Sequence, residues 1–180
     1  MKGKLISLVL PLSVFLVSCA SSPVTLAPVG PNPSWGAASL ADTGYLRVFS
    51  ERELITEGYD GGNPNYYQHS PYRIYDSRGK LVKYVGNIAG KYATAPAVVS
   101  LRPGSYVVKA RAKDYLTVEV PVQVAPGRTT SVHLDDRWSP PAGTPNTALV
   151  LEPGGSPVGW RSDTEPQPNR ASQDLSTPAG

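Results

Sequence analysis

The chain has 180 residues, a single Cys, a formal net charge of +3 and only 17% charged residues, while Gly and Pro together make up a fifth of it. One cysteine excludes a disulfide scaffold. The Gly and Pro content, without a repeating period, excludes a long coiled coil and a collagen, and one short apolar run excludes a polytopic membrane protein. All ten Tyr lie between Tyr45 and Tyr115, and thirteen of the nineteen Pro lie outside residues 42–138. This uneven distribution predicts an export segment (1–18), a linker that begins at the Cys (19–41), a folded domain (42–138) and a Pro/Gly-rich, largely disordered tail (139–180). A domain of that size buries roughly 60–70% of the surface its unfolded chain exposes, enough for one core.

At the N-terminus, Lys2 and Lys4 precede an apolar run from Leu5 to Val17. As a helix this run is about 20 Å long, short of the ~30 Å hydrocarbon layer, and Pro11 interrupts it. A basic start followed by a run of this length is the pattern of a secretory signal. The run ends in Leu16-Val17-Ser18-Cys19, which resembles a bacterial lipobox. The resemblance implies cleavage before Cys19 and acylation of that residue, with no other membrane element needed, because more than one acyl chain gives stable anchoring. Ala20 and Ser21 follow the Cys. Among such lipoproteins Asp in the next position favours retention in the inner membrane, so its absence implies the outer membrane, facing the periplasm or the cell surface. Loss of residues 1–18 removes Lys2 and Lys4 and lowers the formal charge from +3 to +1, which leaves no basic stripe for nucleic acid. The stretch Ser22–Leu40, with four Pro, reads as a semi-extended spacer.

From Thr43 onward the apolar period is two, the signature of strands with one buried face. Thr43–Ser50 puts Leu46 and Val48 on one face and Tyr45, Arg47 and Phe49 on the other. Pro71–Asp76 and Lys80–Gly86 flank a hairpin turn at Asp76-Ser77-Arg78-Gly79. Pro96–Leu101 is a short apolar strand. Ser105–Ala112 follows a Pro103-Gly104 turn and directs Tyr106, Val108 and Ala110 inward. Leu116, Val118, Val120, Val122 and Val124 then alternate with polar residues, and Pro121, which has no N–H, predicts a sheet edge or a bulge there. After Ala125-Pro126-Gly127 the alternation resumes, with Thr130, Val132 and Leu134 inward. No window over 43–135 carries a helical period. The fold class is therefore all-β, a single antiparallel sandwich of about seven strands.

The run Val99-Ser100-Leu101-Arg102-Pro103-Gly104-Ser105-Tyr106-Val107-Val108, followed by Asp114-Tyr115 and by Val124–Leu134, resembles the carboxypeptidase-regulatory-like and PEGA-type domains. These are small Ig-like, prealbumin-like β-sandwiches common on bacterial surfaces. The recurring pattern there is L-x-P-G-x-Y-x-V, then Gly-Tyr, where this chain has Asp114-Tyr115. The resemblance implies a non-catalytic module.

The chain offers little to catalysis. His69 and His133 are the only two His, and His133 reads as a surface residue on the outward face of its strand. No G-x-S-x-G is present, Asp135-Asp136 closes a strand, and ligand poverty argues against zinc. No cofactor, metal site or catalytic residue is expected. The segment Glu57–Tyr75 holds five of the Tyr. Its rings either cover a sheet face by cross-strand packing, or form a glycan platform from Tyr59, Tyr66, Tyr67 and Tyr72, or flank a Ca²⁺ loop of Glu57, Asp60, Asn63 and Asn65 that lacks EF-hand spacing. In the tail, Ala148–Leu151 is an apolar island suited to an edge strand or a docking motif. The expected function is a non-enzymatic envelope lipoprotein. It is held in the membrane by Cys19 and presents a β-sandwich to an envelope protein or a cell-wall glycan, with a glycan-binding lipoprotein built on the Tyr-rich loop as the alternative.

Overall fold

In a computed structural model the described residues are 23–32, 41–55, 66–88, 95–113 and 117–162. The export segment, Cys19, Tyr59, Asp114-Tyr115 and the candidate Ca²⁺ ligands fall outside them. The described residues are all-β, with a 3-10 turn at Asn146–Ala148 and no α-helix among them.

The alternating valines fix the centre. Thr117–Val124 (β10) buries Val118, Val120, Val122 and Val124 and leaves Thr117 and Gln123 exposed. Burial of each valine contributes roughly 1.5–3 kcal/mol. Gly104–Arg111 (β9) pairs antiparallel with it in unbroken register from Thr117↔Arg111 to Val124↔Gly104. Tyr72–Asp76 (β6) continues the sheet beside β9, and Leu81–Val85 (β7) pairs antiparallel with β6 at the sheet's edge. The hairpin between β6 and β7 forms at the residues that predict it. Gly79 sits at φ +78°, and the Asp76 carboxylate accepts from the Arg78 and Lys80 N–H groups at 2.9 Å.

A second sheet is made of Thr129–His133 (β11), Gly44–Phe49 (β3) and Val98–Leu101 (β8), with β3 in the middle. Leu46, Val48, Val99 and Val132 from this sheet share one core with Ile74, Val108 and Val120 from the larger one. A short hairpin, Arg52–Ile55 (β4) with Tyr66–His69 (β5), extends from the end of β3.

Three expectations are corrected. The sheets are not wholly antiparallel, because β11 pairs parallel with β3. The linker 19–41 is not only a spacer. Val24–Thr25 (β1) and Val29–Gly30 (β2) lie parallel to β10, and Leu26 and Val29 are buried in the core. Residues 139–162 of the tail are structured. Leu149–Leu151 (β12) is the strand its apolar island allows, and Pro157–Arg161 (β13) lies between β12 and β2. Apolar residues account for both additions, since Val29, Val150 and Val158 are each fully buried. Gly159 permits the close approach of β13, because a Cβ there would lie 2.7 Å from the Val29 Cγ1 and 2.8 Å from the Ser131 carbonyl oxygen.

The position of Pro121 follows from β1 and β2. Residues two apart in a strand direct their backbone polar groups to the same edge, and the Glu119 carbonyl accepts from Leu26 N–H at 2.9 Å. Pro121 therefore faces the same neighbour. The pairing partners there are Val24 and Thr25, then Val29, so the parallel cover is interrupted over 26–28, beside the residue that has no N–H to offer.

One buried polar cluster ties the elements together. The Asn87 side-chain amide donates to the Val48 carbonyl at 2.9 Å and to Ser50 Oγ at 2.8 Å, and its Oδ1 accepts from Ala97 N–H at 3.2 Å. Ser50 Oγ in turn donates to the Ser70 carbonyl at 2.6 Å. Asn87 sits at φ +59°, a left-handed conformation that Asn tolerates better than most residues.

Candidate functional site

The register of the smaller sheet builds the site. Parallel pairing sets His133 beside Phe49. Both side chains point away from the core, and their rings stack at 4.3 Å and 13°. The chain then turns through Asp136, a non-Gly residue at φ +56°. The Asp136 carboxylate accepts from Lys113 Nζ and from Ser156 Oγ, both at 2.5 Å. These two donors hold its carboxyl below the usual range and fix the turn. The turn brings Trp138 back over the other face of His133, at 4.6 Å and 11°. Trp160, on β13, meets Trp138 edge-on at 6.2 Å and 70°. His69 closes the row against Phe49, at 5.8 Å and 85°. Its Nδ1 lies 2.7 Å from the Ser50 carbonyl oxygen. Since a carbonyl only accepts, Nδ1 carries the hydrogen.

Two cavities flank Trp138. The first, about 320 Å³, is lined by the two touching indoles of Trp138 and Trp160, by the β11 side chains Thr129, Ser131 and His133, and by Asn32. The second, about 280 Å³, lies between Phe49, His69 and Asp135, beside Arg52 and Arg137. Burial pushes the Asp135 carboxyl up, against the pull of His69, of backbone N–H groups and of Arg137. Among the described residues no group of three His, Cys, Asp or Glu is placed to hold a metal ion.

The outward direction of His133 is as its strand predicts, but it is not a plain surface residue. Phe49 and Trp138 enclose it, and burial, aided by the nearby charge of His69, pulls its imidazole from 6.5 down to about 4. The unfolded chain takes up this proton near pH 6.5 and the folded protein only near 4. Stability from this group is therefore complete above pH 6.5 and is lost as the pH falls towards 4, by on the order of 3 kcal/mol. The raised Asp135 carboxyl works in the opposite sense and offsets part of that loss. Urea unfolding at pH 7, 5 and 4 checks this. His133→Phe, which keeps a flat ring in the stack, is expected to flatten the pH dependence. Equal slopes for both proteins would place the dependence elsewhere.

The structure separates the tyrosines predicted as one platform. Tyr72 is in the core at 2% exposure. Its hydroxyl has no hydrogen-bond partner among the described residues, and burial pushes its pKa up. Tyr66 and Tyr67 are consecutive on β5, so they point to opposite faces. Tyr66 is half-buried and Tyr67 is half-exposed beneath the Arg52 guanidinium, 5.1 Å from the ring centroid. Tyr75 and Tyr84 carry Lys109 and Arg73 over their rings in the same way, on the outer side of the larger sheet. Tyr72 is thus removed from any exposed face, and Tyr66 and Tyr67 do not share one.

Sequence reasoning misses Phe49, Trp138 and Trp160 as a group, and misses Asn87. A signal exists for the first three. Phe49 and His133 are both outward by alternation, and two Trp bracket a segment otherwise composed as a disordered tail. Large aromatics are depleted in segments that stay unfolded, so the two Trp mark a segment that docks. Comparison with protein-family models, with curated proteins and with solved structures finds no match.

Proposed function

We propose that this protein is a non-enzymatic cell-envelope lipoprotein whose β-module is presented to another envelope component. The observation that carries this reading is the basic start and apolar run ending in Leu16-Val17-Ser18-Cys19, with only four residues between Cys19 and the first described strand at Val24. An extended chain spans at most ~3.6 Å per residue, so an acylated Cys19 lies within about 18 Å of β1. The module is then held against the headgroups rather than hung at a distance on a spacer. Ala20 and Ser21 after the Cys favour the outer membrane, and the partner is an envelope protein or a cell-wall glycan.

The finer fold reading is a prealbumin-like sandwich of the carboxypeptidase-regulatory-like or PEGA type. It is supported by the two sheets sharing one core and by the Pro103-Gly104 turn leading into β9. On this reading β1, β2, β12 and β13 are additions that widen the larger sheet.

Cells fed labelled palmitate provide the test. The wild-type chain is expected to carry the label in the membrane fraction. Cys19→Ser is expected to carry none and to leave the detergent-extracted lipoprotein fraction. Label on the Cys19→Ser protein would reject the lipobox reading.

A further inference from the structure

The cavity between Trp138 and Trp160 is uncommon in its chemistry. Its lining combines aromatic rings with hydroxyl-bearing side chains. Thr129 and Ser131 are two apart on β11, so their hydroxyls share the outer face with His133. Among the described residues no Asp, Glu, Lys or Arg lines it, and His133 with its lowered pKa is neutral at pH 7. A ligand with a phosphate or carboxylate would find no cation among them to pair with, and burying its charge there would be costly. A purely apolar ligand would strip water from the Thr129 and Ser131 hydroxyls and offer nothing in its place. The chemistry that fits has a flat C–H face and an equatorial rim of hydroxyls, without charge.

We infer that the cleft between Trp138 and Trp160 binds a neutral saccharide, with a sugar ring against the two indoles and its hydroxyls on Thr129, Ser131 and Asn32. The volume, about 320 Å³, lies at the small end of ligand clefts and suits a terminal sugar unit with the next one emerging. The walls are preorganised. His133 covers one face of Trp138, the turn at Asp136 is pinned by Lys113 and Ser156, and Trp160 is fixed by the β13 pairing to Gly30. Little ordering is left for a ligand to induce. The inference rests on the cleft and not on the anchor, so it holds whether or not Cys19 is acylated.

Titration calorimetry of the full chain in detergent micelles tests it, with chitotriose, cellotriose and maltotriose as the probes. At least one is expected to bind saturably. Trp160→Ala removes a wall, and Thr129→Lys sets a bulky cation at an exposed position on the rim. Each is expected to weaken that binding at least about tenfold. Thr129→Lys is expected to leave the thermal midpoint unchanged, so its effect stands even where Trp160→Ala loosens β13. Tyr67→Ala is the control and is expected to bind as the wild type does. Three results would overturn the inference: no saturable heat with any of the three sugars up to about 10 mM, binding that survives both cleft substitutions, or binding lost in Tyr67→Ala instead.

Discussion

Val120→Asp is expected to leave the β-domain unfolded. Val120 is fully buried at the middle of β10, and β9 covers one edge of the strand there. A carboxylate at that position lies within the apolar core cluster, and burying it costs more than about 4 kcal/mol. A domain of this size has roughly 5–15 kcal/mol in total. Circular dichroism of the purified variant checks the outcome, and a cooperative melt near the wild-type midpoint would show that residue 120 does not face the core. Glu119→Lys is the paired measurement. Glu119 lies on the outer face, 2.6 Å from Lys109 Nζ and opposite it in register. The substitution sets two ammonium groups across the strands, so a modest fall in thermal midpoint is expected, with the fold retained.

The second large effect is expected at Asn87. Asn87→Ala removes both donors from the Val48 carbonyl and Ser50 Oγ, and the acceptor from Ala97 N–H, within a buried site. It also places a Cβ without a polar end at φ +59°. Unmet buried polar groups cost ~1–3 kcal/mol each, so the total loss is roughly 3–5 kcal/mol in urea unfolding. Asn87→Gly accepts the left-handed backbone freely and is expected to be about 1 kcal/mol less damaging than Ala, while still far below the wild type. Equal stability of the Ala and wild-type proteins would mean that the cluster is solvated and contributes nothing.

These two positions also show what the sequence makes legible. The face of Val120 follows from nine alternating residues, and alternation is a local property of one strand. The turn at Asp76–Gly79 is legible for the same reason, since the residues that make it are adjacent. Asn87 is not legible in this way. Its partners lie at positions 48, 50 and 97, and nothing near it in sequence distinguishes a buried hub from a loop amide. The parallel pairing of β3 with β11 joins segments more than eighty residues apart, and period-two patterning reports a strand's faces but not its neighbours. Strands as short as β1 and β2 have too few residues to show a period at all. His133 illustrates the boundary within a single residue. Alternation gives its direction correctly, while its cover, Trp138, arrives from a turn that carries no period. The aromatic cleft is therefore half visible, through Phe49 and His133 on outward positions, through Trp138 at the end of the domain and through Trp160 in an otherwise plain tail.

The pairing of β2 with β13 sets residues 29–30 beside residues 160–161. About 130 residues must follow Val29 before its partner exists, and at ~5–20 residues per second of synthesis that is about 7–26 s. Throughout this interval the outer edge of the larger sheet stays open, and a topology of such distant pairings is intrinsically slow to form. The strands from β2 to β7 can pair once residue 124 exists, so β12 and β13 are the last to join. Until they do, β2 presents unpaired backbone groups to which a second chain could add as a strand.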